Sequence, residues 1–296
     1  MNRSQFNKSV VPGLFSFMTS AYQEREAIYP KIVTMKTSRR AYEESAYYAG
    51  LGLFPEKPEG EPIAYDDFIQ GPTKRWTHKT NSLGIRITEE MIDDSLYPDI
   101  PTEMSQITEE LGRSARETME VLVNDIYNGT TKTAGDGVAI FSASHTKLGG
   151  GTYANLLSPA ADLSASSLRQ MIQNMETTTD DRSRQQLIRP KILMVHPSNE
   201  WTARELLNSA YDPESANNAV NPLQSRNLQL LVNYYMTDED AFFLIAEKNP
   251  VIMFNRRPTK FAKDGDFQTG DALFKSSFRM SVEVNYPVGI FKSAGV

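Results

Sequence analysis

Between Thr102 and Tyr127 lies a run of sequence that can fold into little else than one long helix. Met104, Ile107, Leu111, Ala115, Met119, Leu122, Val123 and Ile126 recur at steps of three and four residues, which draws a single apolar stripe. Pro101 suits the first helical position and Asn128-Gly129 suits the stop. At about 1.5 Å per residue the helix would approach 40 Å, longer than most helices of globular proteins. A helix of that length serves as a backbone across a molecule. Its other face carries Glu103, Glu109, Glu110, Glu117, Glu120 and Asp125.

The segments around this spine are of different kinds. The first 35 residues read as an arm, with apolar clusters at Val10-Val11, Leu14-Phe15 and Phe17-Met18 and a helix near Thr19–Ile28 stopped by Tyr29-Pro30. Such an arm is expected to gain its burial from a neighbour. Residues 54–62 are rich in Pro and charge. Beyond them, Ile63–Ile69 and Lys74–Lys79 could be the arms of a long hairpin that turns at Gln70-Gly71-Pro72, or else a mobile surface loop. After the spine comes a Gly/Thr/Ser-rich stretch, 129–155. A helix over Ala165–Thr178, with a cap at Leu163-Ser164, then precedes a buried strand over Lys191–His196 and a helix over Asn199–Ser209. Strands are predicted at Leu228–Tyr235, Ala241–Ala246, Val251–Asn255 and Phe278–Tyr286, the last with strict alternation.

Composition narrows the chemistry. The 296 residues include no Cys, which removes disulfides, thiolate nucleophiles and Cys-held metals, and fits a chain made in a reducing compartment. No apolar run reaches the roughly 20 residues of a spanning helix. His78, His145 and His196 lack carboxylates at ligand spacing, so no metal is expected. Ser142, Ser144 and His145 lack a nucleophile elbow, and the Gly-rich loops match no phosphate fingerprint. No catalytic residue and no cofactor is expected.

A net charge of −6 argues against a broad basic face for sequence-specific DNA binding. The total conceals an asymmetry. Residues 1–40 hold seven Lys/Arg against two Glu, a net +5, whereas residues 89–125 hold eleven acids against Arg113 and Arg116, a net −9. These blocks are either two solvated surfaces or the two halves of a subunit contact. The candidate contact residues are Arg3, Lys8, Arg25, Lys31, Arg39 and Arg40 from the arm. The loop adds Lys74, Arg75 and Trp76, and the spine adds Glu109, Glu110, Glu117 and Glu120.

The order of arm, charged loop, spine helix, Gly-rich connector, α/β segment and late strands resembles the Hong Kong 97-type fold of tailed-phage major capsid proteins. Two passages carry the likeness to the Mu-like major head subunits in particular. One is Phe141-Ser-Ala-Ser-His145, followed by Gly149-Gly150-Gly151 and Asn155; the other runs from Trp76 to Glu90. The resemblance implies an α+β fold with an N-terminal arm (1–40), a connector (41–53) and an extended loop (54–84). It further implies a peripheral domain with the spine (85–162), an axial domain (163–247) and returning peripheral strands (248–296).

The implied function is to assemble, as pentamers and hexamers of itself, the icosahedral shell around the double-stranded DNA of a tailed phage. Portal, scaffold and decoration proteins are the implied further partners, with the DNA held without sequence specificity and no membrane involved. Assembly in the host cytoplasm, residence in the virion and a scaffold supplied as a separate protein are likewise implied. In some relatives a loop Lys bonds covalently to an Asn of a neighbour; Lys74, Lys79 and Asn285 are the candidates here, without the family's surrounding motif. A nanocompartment shell of the same fold enclosing a cargo enzyme is the alternative, and a small-molecule enzyme built on 163–247 a more distant one.

Overall fold

The computed structural model describes residues 11–88, 90, 102–129, 132–211, 220–266 and 268–296. Two four-stranded sheets and the spine helix organise it. The N-terminal part gives α1 (Val11–Gln23), α2 (Tyr29–Ile32), β1 (Thr34–Thr37), β2 (Tyr42–Ala49), β3 (Ile69–Thr77), β4 (Lys79–Ile87) and the spine α3 (Thr102–Asn124). Then come β5 (His145–Thr146), β6 (Thr152–Tyr153), α4 (Ala165–Glu176), β7 (Pro190–Val195), α5 (Glu200–Asn208) and β8 (Gln229–Val232). The chain finishes with β9 (Phe242–Ala246), β10 (Val251–Gly265), β11 (Ala272–Val284) and β12 (Ile290–Ser293).

The first sheet has the order β1-β10-β11-β4, with β1 parallel to β10 and the remaining pairs antiparallel. The second has the order β12-β9-β7-β8, with β7 and β8 parallel. The spine buries Met119, Val123, Ile126 and Tyr127 against Met253, Phe278, Met280 and Val282 of the first sheet. Met194, Phe243 and Ile245 of the second sheet join the same core. On the other face of the second sheet, Leu193, Val195, Phe242 and Leu244 meet Leu168 and Met171 of α4 and Ala203 and Leu206 of α5. A sheet covered on both faces requires continuously apolar strands, and β9 (Phe-Phe-Leu-Ile-Ala) is buried at every position.

Several sequence expectations need correction. The spine stripe is as drawn except that Ile107 is exposed and Thr108 turns inward; the side chain of Met104 lies outside the described residues. The arm helix begins at Val11, earlier than Thr19, and finds its burial in its own chain: Leu14 and Met18 pack with Leu111, Ile87 and Phe274. Gly112 makes that crossing close, because a Cβ there would lie 2.4 Å from the Met18 carbonyl oxygen. Strand β10 runs ten residues beyond Asn255, and β11 begins at Ala272, well before Phe278. Ser164 caps α4 as expected, accepting from the Ser167 amide.

The hairpin differs most. Its arms are β2 and β3, not 63–69 and 74–79, and Gln70-Gly71-Pro72 lies within β3. Ala46 pairs with Thr73 and Tyr48 with Gln70, so Gly71 and Pro72 together oppose Tyr47 in a bulge. Pro, which cannot donate to a ladder, is tolerated at such a site. The Gly-Pro pair signals an irregularity in both cases; here it is a bulge and the turn lies elsewhere.

Candidate assembly surface

The hairpin and its root form the most distinctive surface. β3 and β4 are separated by His78 alone, so one nearly continuous strand leaves the first sheet and becomes an arm of the hairpin. Trp76 roots it. This side chain is 0% exposed, donates its N–H to the carbonyls of Ile252 (3.2 Å) and Glu283 (3.3 Å), and meets Phe254 edge to face at 5.6 Å. Trp76 was expected to touch a neighbour, but it belongs to the interior of its own chain. The sequence placed it in a charged stretch, which masked its burial.

His78, beside it, is buried with its ring nitrogens 2.9 Å from Ser281 Oγ and 3.1 Å from Ser38 Oγ. Burial pushes its pKa below the ordinary value, and the Arg279 and Arg256 guanidinium groups push the same way against Glu43. The unfolded chain therefore takes up this proton first. Stability from the neutral ring is present above about pH 6.5 and is lost as pH falls through the folded value. Between pH 7.5 and 5.5, unfolding free energy should fall more steeply for the wild-type chain than for His78→Gln. Parallel slopes in denaturant titrations would refute this.

Beyond the root, the hairpin is stapled to the rest of the chain. Tyr47 stacks on Tyr286 at 4.1 Å, and the Asn285 amide donates to the Ser45 carbonyl at 2.9 Å. Lys74 Nζ lies 3.5 Å from Glu283 and donates to the Thr133 carbonyl at 2.7 Å. Burial, aided by the Asp181 carboxylate, pushes the Tyr286 phenol up to about 12, so it stays neutral at working pH. Arg182 reaches from a turn after α4 to Asp66 (3.2 Å) and to the Asp67 carbonyl (2.9 Å). Asp180 fixes that turn by accepting from the amides of Arg182 and Arg184. Past these staples the loop 50–68 projects apolar side chains into solvent, Phe54 at 93% and Tyr65 at 95% exposure, with Leu53, Ile63 and Phe68 beside them. Its acids outnumber its bases five to one. None of these five apolar side chains stands among the contact residues expected from the sequence, because apolar residues without periodicity, set among Pro, Gly and Glu, signal only an irregular loop.

The charge blocks meet within the chain. Arg25 lies 3.8 Å from Glu117, and Arg113 pairs with Glu24 at 2.9 Å as well as with Glu109 and Glu110 on its own helix. Glu120, 2% exposed, accepts the backbone N–H groups of Ile28 (2.8 Å) and Tyr29 (3.0 Å). Burial raises its carboxyl pKa, and those two N–H groups with Arg116 hold it back. Lys31 pairs with Glu26, Arg40 with Glu43, and Arg75 with Glu44 while lying over the Tyr42 ring. Arg39 is exposed, and Arg3 and Lys8 lie outside the described residues. Among the described residues no cluster of three metal-ligating side chains is found, and no helix is long and apolar enough to cross a membrane.

This architecture has known counterparts. The capsid of Ralstonia phage GP4 is similar with a TM-score of 0.58 and 11% identity, over 90% of this chain and 87% of that one. The structure of Microbacterium phage Oxtober96 gives 0.55 and 12%, over 92% of each chain. A virus-like particle from Pyrococcus furiosus gives 0.54 and 10%, over 96% and 99%. At such identities the likeness speaks to the fold, which is of the Hong Kong 97 type. No curated protein sequence matches. The family model described as phage capsid protein matches residues 72–293, from the bulge of the hairpin to the end of β12. With most of its length so matched, the chain belongs to the phage capsid protein family.

Proposed function

We propose that this capsid protein is the major head subunit of a tailed phage, and that copies of it close into an icosahedral shell around double-stranded DNA. The observation that carries this reading is the hairpin: rooted rigidly by Trp76, yet ending in apolar side chains that its own chain leaves in water. Each exposed aromatic there has roughly 150–250 Å² to bury. Most of the gain is offset by the cost of association, so individual contacts are modest. A closed shell repeats them and becomes stable while misplaced copies can still leave.

In this reading residues 1–40 are the arm, and the β2–β3 hairpin, 42–77, is the extended loop in place of 54–84. The first sheet and the spine, within 78–162 and 248–289, form the peripheral domain, and 163–247 with the returning strand β12 forms the axial one. Portal, scaffold and decoration proteins are the further partners, and assembly takes place in the host cytoplasm. A compartment of the same fold that encloses a cargo enzyme is the second reading, and the phage capsid family match favours the head.

Expression of the full chain followed by sedimentation and negative-stain microscopy tests the proposal. Closed polyhedral particles are the expected result, and a chain that stays monomeric at every concentration, with or without a scaffold protein, would overturn it. Nucleic acid in particles isolated from infected cells distinguishes a head from a cargo compartment.

A further inference from the structure

The second sheet has two chemically different ends. Because β7 and β8 are parallel, both begin at one end of it and finish at the other. At the beginning end lie two clefts, of about 310 and 540 Å³, that share Glu176 and Arg226 as a common wall. Ile172 and Leu223 give the first an apolar lining; Ile188 and Pro190 do so for the second, with Leu187 at its edge, 87% exposed. Arg226 and Glu176 pair at 2.6 Å, and Arg169 and Arg189 add two further positive charges, so the clefts carry a net basic character.

The finishing end is the opposite in character. Trp201, on the first turn of α5, is 79% exposed, while Ala203, Leu206 and Leu207 of the same helix are buried. Tyr234, just past β8, is exposed as well. Around them Glu200, Asp238, Glu239 and Asp240 outnumber Arg204 and Lys292, which pair with Glu200 and Asp238. Glu239 and Asp240 leave this end acidic.

Six residues of β7 separate the two ends, about 20 Å at 3.3 Å per residue. The acidic aromatic end therefore cannot reach the basic clefts of its own chain. Complementary patches at opposite ends of one unit make a head-to-tail contact, and such contacts close into rings when the rotation permits. We propose that Trp201 of one copy enters the Glu176–Arg226 cleft of a second copy, joining subunits head to tail through their second sheets. An indole suits the role, offering a large rigid apolar area and one N–H donor, and Trp is enriched where a few side chains dominate an interface. The contact deepens the shell reading and rests on it only in requiring that copies associate.

Two measurements test it. Trp201→Ala should raise the concentration needed for assembly about tenfold or more, and Trp201→Phe by less. The side chain is exposed, so circular dichroism of the unassembled variant should match the wild type. Assembly of the alanine variant at the wild-type concentration would overturn the contact.

The second measurement uses the absence of Cys from the chain. A Glu200→Cys chain mixed with a Leu187→Cys chain should form disulfide dimers on oxidation, and the double variant should form a ladder ending at the ring size. Dimers from either single variant alone, or no crosslink in the mixture, would overturn the head-to-tail geometry. A ladder without shells would leave this contact standing and sink the shell reading. Shells that form indifferently to Trp201 would do the reverse.

Discussion

Replacing Trp76 with Ala should cost about 3–5 kcal/mol of unfolding free energy, the cost of truncating a large, fully buried aromatic. The substitution deletes the edge-to-face contact with Phe254 and leaves a cavity between the hairpin root and the first sheet. It also removes the N–H that two carbonyls, of Ile252 and Glu283, share. Trp76→Phe keeps one ring and loses the donor and the second ring, so its cost should be smaller, about 1–3 kcal/mol. Denaturant titration of the unassembled subunit measures both. Had Trp76 been a contact with a neighbour, alanine would weaken assembly and leave stability almost untouched. A loss below about 1 kcal/mol in the alanine variant would therefore overturn the burial argument.

The second large effect is expected at Glu120. Its carboxylate accepts two backbone N–H groups where the arm turns into α2, and hydrogen bonds to a charged group contribute about 1.5–3 kcal/mol each. Glu120→Ala takes the acceptor from both donors, the Tyr29 N–H buried and the Ile28 N–H partly so, and stability should fall by about 3 kcal/mol. Glu120→Gln keeps one acceptor oxygen and should lose less. The arm is where the loss should show first: amide exchange at Ile28 and Tyr29 should speed up before the sheets respond. Unchanged protection at those two amides would rule out the anchoring role. In the sequence Glu120 stands in a row of acids on the polar face of the spine. Only its place on the helix, one residue after the buried Met119, hinted at an inward orientation.

What the sequence made legible follows from the kind of signal each element carries. The spine, α4 and β9 were readable because long periodic or continuous apolar runs admit few alternatives. Ser164 was readable as a cap because its chemistry is local. β2 was not readable, since Tyr-Glu-Glu-Ser-Ala-Tyr-Tyr-Ala lacks an apolar face of its own and owes its conformation to β3. The long extensions of β10 and β11 were hidden for the same reason: each is specified by its partner across the pair.

On the charge blocks, the sequence identified the residues and not their partners. Arg25 and Glu117 attract as expected, but through-space proximity within one chain is invisible to a count of charges along it. Arg182 holds the loop at Asp66 across more than a hundred residues, and no local pattern announces that.

The order of strands in the first sheet also governs the timing of synthesis. β1 and β4, made early, flank β10 and β11, which are made late, and Thr34 pairs with Ile252 across more than two hundred residues. A ribosome must therefore release nearly the whole chain before that sheet can close, and pairings so distant are slow to form. A chain broken off before β11 would lack both the inner strand that supports β4 and the backbone carbonyl of Glu283 that helps root Trp76. Its hairpin would keep only the Ile252 carbonyl and the Phe254 ring of β10 at its root. The full root of the hairpin thus exists only once translation has passed β11.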